Sequence, residues 1–225
     1  GFGVATSSGK ITLSTANAGT AGISGDLDIL TGTTSNGDSG NINMKTGDAT
    51  NGKAGSINFE LGATSSGAGA DATLKGGDTI APGGLTGGSV YVAGGHSTPT
   101  TSGSIYLNSA NAGSAGASGK LAFTTGTTSQ GNSGALEFVS GAATNGRAGA
   151  FEVLVGAGDS GEGGRVTLSS GATSEDSMTG GRISLLAASA TGSDAFGGKI
   201  SVAAGAGKGA GGNIDLTAGA SLANT

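Results

Sequence analysis

Ser24-Gly-Asp-Leu-Asp-Ile-Leu-Thr-Gly32 is the stretch on which the reading of this chain turns. Leu27 and Ile29 are one residue apart, a small residue and Gly25 precede them, and Gly32 closes the run. Written as a frame, this is small-Gly-x-h-x-h-x-x-Gly, with h a large apolar residue. Alternation of period two between glycines predicts a short strand with one apolar and one polar face.

The same frame recurs along the whole chain. It begins at Gly9, Gly25, Gly40, Gly55, Ala70, Gly88, Gly103, Gly119, Gly134, Gly149, Gly164, Gly181, Gly198 and Gly212, giving 14 units at steps of mostly 15 or 16 residues. The h pairs run from Ile11/Leu13 through Leu121/Phe123, Leu136/Phe138 and Phe151/Val153 to Ile214/Leu216, and only Ala72 among them is small. Their neighbours, such as Thr12, Asp28, Asn43, Tyr106, Glu137 and Glu152, are mostly polar and point the other way. The other half of each unit is built of turn formers, as in 48–52 and 127–131. No helical periodicity occurs.

A longer period overlies the short one. Residues 8–63 align without gaps on 102–157, an offset of 94 residues, with 30 identities in 56 positions. The identities concentrate in the turns, whereas the h positions exchange freely among Ile, Leu, Phe, Met and Val. A core needs volume and pattern, while a turn needs particular backbone angles, so turn chemistry accounts for the identities. A repeated surface that packs or binds is the alternative. On this basis 1–225 forms a single repeat domain, with a first long repeat at 8–101, a second at 102–197, and the start of a truncated third at 198–225.

Fourteen similar strands with eight- or nine-residue connections can form an antiparallel meander or a solenoid. Hairpin loops are usually two to five residues, so the expected fold is all-β, a right-handed β-solenoid (parallel β-helix) of 14 strand-turn units. Two units per coil are expected, because Phe59, Phe123, Phe138 and Phe151 need the width of two opposed faces. Outward bulges are expected at Pro82 and Pro99. In such an interior Leu121→Asp would bury an unpaired charge and open neighbouring coils, whereas Ala122→Asp would point outward and cost little.

Composition excludes several functions. Gly makes up 50 of 225 residues, about 22% and roughly three times the usual share. Trp and Cys are absent, His occurs once and charged residues are 11%, so few groups remain for acid-base, nucleophilic or metal chemistry. The net charge is −5 with scattered Lys and Arg, which offers no basic stripe to nucleic acid. No apolar run approaches the length that spans a bilayer. The absence of Cys does not fix the compartment. The sequence opens on Gly1 with no basic segment and apolar run, so a secretory leader is expected to have been removed or to lie outside this sequence. The repeat still runs at Gly219, which predicts an uncapped end able to stack on a further copy.

The candidate sites each have a plain reading. His96 lies beside Ser97 in a Gly-Gly-His-Ser-Thr-Pro turn, but adjacent residues do not form a nucleophile and base without a third group. Zinc lacks ligands here. The glycines of 205–212 have no P-loop spacing. Asp38, Asp48, Asp78, Asp159 and Asp194 fall in turns, as calcium ligands do in some solenoids, yet those use a nine-residue unit and these acids keep no fixed place. They read as solvated turn acids. No Asn-x-Ser or Asn-x-Thr acceptor occurs, while dense Ser and Thr allow O-glycosylation. No catalytic, cofactor-binding or metal residue is expected, and the chain is not expected to be an enzyme.

The frames at 24–32 and 211–219 resemble the glycine-rich repeat regions of large surface proteins of microbes, algae and their viruses. That resemblance implies a stalk or fibre at the cell or virion surface, whose partners are other copies or flanking repeats. The chain is also similar, more loosely, to repetitive ice-binding proteins, which implies a binding module for ice, and the turn identities between the two long repeats motivate the other binding reading, an adhesin or receptor-binding fibre for a glycan. An ice face needs Thr at one outward place on every coil, and the middle position here runs Thr12, Asp28, Asn43, Asn58, Thr73, Tyr91, Tyr106, Ala122, Glu137. The Ala/Thr/Ser turns are the better candidate for such a face.

Overall fold

Reversals of the chain at a nearly constant interval organise the molecule. In the computed structural model, which describes residues 8–80 and 85–219, the backbone bends at 20–22, 35–37, 50–52, 65–67 and 98–100 in one unit, Gly1–Ala110. In the other unit, Asn111–Thr225, it bends at 114–116, 129–131, 144–146, 159–162, 175–177, 192–194 and 208–209. The 94-residue offset carries the first three bends of one unit onto the first three of the other. It also carries Gly37 (φ 108°) onto Gly131 (φ 103°).

A short side-chain device shapes several of these bends. In Gly-Thr-Thr34-Ser-Asn-Gly37 the Thr34 hydroxyl donates to Asn36 O at 3.2 Å and accepts from Asn36 N at 3.3 Å. Thr64 does the same with Ser66, and Thr128 Oγ1 donates to Gln130 O at 2.9 Å. In each case the following glycine, Gly37, Gly67 or Gly131, takes a positive φ that an L side chain adopts only under strain. At 173–177 the hydroxyl of Thr173 accepts from Glu175 N at 3.2 Å, and Ser177 takes the left-handed place at φ 61°.

After many of these reversals, within each unit, the returning chain runs alongside the arriving one. Gly40 lies against the Thr31 methyl, since a Cβ added there would stand 3.5 Å from it, and Gly55 lies against Thr46, Gly134 against Thr125 and Gly149 against Ser140 in the same way. Five reversals are closed by a main-chain hydrogen bond, from Gly88 N to Gly77 O, Gly103 N to Gly95 O, Gly181 N to Gly171 O, Gly198 N to Ala188 O and Gly212 N to Gly205 O, at 2.8–2.9 Å. Direction follows from register. Ser140 meets Gly149 while Phe138 meets Phe151, so moving back two residues on one arm moves forward two on the other. The arms are antiparallel.

The expected β-solenoid is therefore corrected on two counts. No helix and no strand occurs among the described residues, which are almost wholly exposed coil, so there is neither a sheet nor a coil of two units. The arms 134–140 and 149–155 moreover run antiparallel where they touch, whereas a solenoid stacks successive segments in parallel. Connection length misled, because eight residues containing one hydroxyl-bridged bend and one left-handed residue reverse the chain as effectively as a short hairpin loop. A single closing bond per reversal does not extend into a ladder, since the segments begin and end in glycine, the residue that loses most entropy on ordering.

There is no core. Among the described residues none is buried, and only Thr46, Gly76 and Ser97 are half-buried. The chain exposes 22471 Å², whereas a compact chain of this size exposes about 8,900 Å². The expected bulge at Pro82 lies outside the described residues; Pro99 sits in the bend at 98–100.

Candidate functional site

The reactive candidates remain dispersed. His96 is exposed, and the Ser97 hydroxyl beside it shares a 2.9 Å hydrogen bond with Thr100 Oγ1 and accepts from Thr100 N at 3.3 Å, bracing the bend around Pro99. Asp48 pairs with Lys45 at 3.5 Å and Asp78 with Lys75 at 2.6 Å, both across three residues and both exposed. Asp194 holds the left-handed place in the bend at 192–194. Asp38 and Asp159 are exposed turn residues. Among the described residues no three acidic or His side chains gather where they could hold a metal ion, and no helix is long and apolar enough to cross a membrane. The glycines of 205–212 form the last closed reversal, with Gly212 N bonded to Gly205 O.

What the structure does bring together is one face of several segments within each unit. Apart from the closing main-chain bonds, the side-chain contacts between arms at 31–40, 46–55, 125–134 and 140–149 involve a single set of four alternate positions: the leading glycine, the two h residues, and the residue two places after the second h. Thr31, Thr46, Thr125 and Ser140 occupy the last of these, each against the leading glycine of the next segment. This register sets the h residues of neighbouring segments opposite one another. The Phe138 and Phe151 rings stack at 6.0 Å with 29° between planes, and Phe123 meets Phe138 edge-on at 6.1 Å and 88°. Within 119–155 the two faces also differ in exposure, with the h residues at 49–67% against 86% for both Val139 and Leu154 on the opposite face.

Charge separates the faces completely. None of the 25 charged residues of the chain falls in any of the four columns across all 14 segments. The intervening positions hold many of them, including Lys120, Glu137, Glu152, Arg165, Arg182 and Lys199, and the turns hold the rest. The signal was present in the sequence, but it emerges only when the column is extended past the h pair to the residue that meets the next glycine. In Gly1–Ala110 the face carries a shallow groove of about 360 Å³ lined by Phe59, Ala72, Thr73 and Leu74. Ala72, the one small h residue, leaves that space beside Phe59. Its lining holds no ionisable group and one hydroxyl, so it can take an apolar side chain and can perform no proton or group transfer.

No protein-family model, curated protein or solved structure matches this chain.

Proposed function

We propose that the chain is a non-enzymatic structural segment of an extracellular fibre, stalk or surface filament, associating with other copies of itself or with flanking repeats. The observation that carries this reading is a charge-free apolar face repeated on 14 segments at a near-constant interval. A periodic surface of this kind suits a repeating partner, whereas catalysis calls for one place where unlike groups converge. Dispersal of His96, Ser97 and the turn acids supports the same reading.

Negative-stain imaging of native material decorated with an antibody to this chain tests it. Labelled filaments or stalks at the cell or particle surface are the expected result. A soluble monomeric globule carrying all of the label would overturn it.

A further inference from the structure

We infer that the charge-free face of Asn111–Thr225, centred on Phe123, Phe138 and Phe151, is a docking surface for the same face of a second copy of this chain. The inference rests on the structural reading above and names the surface and the partner through which it operates.

Three observations carry it. The first is the recurrence of large apolar residues in the h columns of every segment but for Ala72, with no charge in the fourth column either, although the segments are exposed and water alone would tolerate a charge there. Excluding charge from a wet surface preserves something only if that surface is later covered, because an unpaired charge is costly only when buried. The second is area. The 14 h residues of this unit are 49–93% exposed, roughly 100 Å² of apolar surface apiece, so covering eight of them removes about the 800 Å² per partner of a stable interface from water.

The third is complementarity. Each segment of this unit carries a ridge of two large apolar residues between low shoulders, Gly on one side and Thr, Ser, Ala or another small residue on most of the other, so the ridges of one face can lie against the shoulders of another. In this unit the opposite face and the turns carry all the charge, eight acids against six cations and net −2, so the uncharged face is the side that a second copy can cover without burying a charge. The cations nearest the columns, Lys120, Arg165, Arg182 and Lys199, fall at intervening positions on the opposite face, so the apolar face itself has no basic rim to hold an anionic lipid surface. The three phenyl rings, already packed against one another, supply an anchor that loses little freedom on docking.

Sedimentation velocity on the full chain from about 1 μM to about 1 mM reads the association directly. Four variants separate the faces and the signs of charge. Phe138→Asp and Val153→Lys, both in the columns, are expected to raise the dissociation constant about 10-fold or more. Val139→Asp and Leu154→Lys, each one residue along and on the opposite face, are expected to leave it within about 2-fold. Because the single chain has no core to lose, dichroism of the dilute variants matching that of the parent confirms that association alone has changed. A chain that stays monomeric at 1 mM, or equal weakening by all four variants, overturns the proposal. So does a monomer that pellets with phosphatidylcholine vesicles, which would make lipid the occupant. Labelled filaments that persist in all four variants would remove this face while leaving the fibre reading standing. Monomers in solution with no filaments in native images would remove both.

Discussion

Gly94 and Gly95 are adjacent and chemically identical, yet the structure gives them opposite tolerances. A Cβ on Gly94 would collide with the carbonyl oxygen of Gly103, whereas a Cβ on Gly95 would meet nothing within 4 Å. Gly94→Ala is therefore expected to open the reversal closed by Gly103 N and Gly95 O, and Gly95→Ala to leave it intact. Amide exchange at Gly103 distinguishes them, with faster exchange in the first variant only. Backbone angle rather than space governs Gly131. At φ 103° it has open room for a methyl group, but Gly131→Ala is expected to cost about 1–2 kcal/mol at that bend through the left-handed penalty. The nuclear Overhauser contact between the Thr125 methyl and Gly134 should weaken in this variant and persist in Gly126→Ala, since Gly126 is free of both constraints.

At the scale of the segment, the stacked rings are the strongest contact between neighbouring arms. Phe151→Ala removes one member of the pair with Phe138, for which a loss of about 0.5–1.5 kcal/mol is expected beyond the lost area. Ring-current shifts of the Phe138 and Phe123 resonances check it, and unchanged shifts would mean that the arms do not hold this register in solution. The exposed pairs Lys45–Asp48 and Lys75–Asp78 are not expected to matter, because both groups of each pair remain in water. The segments are thus joined by apolar register and by glycine closure, with h residues such as Phe123, Phe138 and Phe151 on the side of contact. Their direction and their lack of a hydrogen-bonded ladder were not legible, because both are set by the eight-residue reversals and not by the segments themselves.

For the whole molecule the decisive fact is the absence of a buried residue among those described. A compact chain of this length would absorb about 160 kcal/mol on unfolding near 60 °C, but the dilute chain is expected to show no cooperative calorimetric transition. A sharp two-state peak of that size would contradict the coreless state. The expected contrast between Leu121→Asp and Ala122→Asp changes accordingly. Leu121 is 53% exposed, so a carboxylate there keeps its access to water and neither substitution should alter the dilute chain. The contrast is expected to return only on association, when the columns are covered.

The sequence by itself determined the repeat, its interval of about 15 residues, the 94-residue superperiod, the identity of the apolar columns and the exclusion of charge from them. All of these are one-dimensional: alternation of period two assigns a face whether or not anything covers it. The solenoid expectation added a claim that alternation does not contain, namely that the face is buried within the chain. Only the tertiary structure decided that, through bends such as those at Thr34, Thr128 and Asn145, which turn the backbone back on itself and leave the segments exposed. The reason is geometric. Which side of a segment is apolar follows from its own residues, but where the next segment lies depends on a few backbone angles in a connection whose composition is compatible with more than one path.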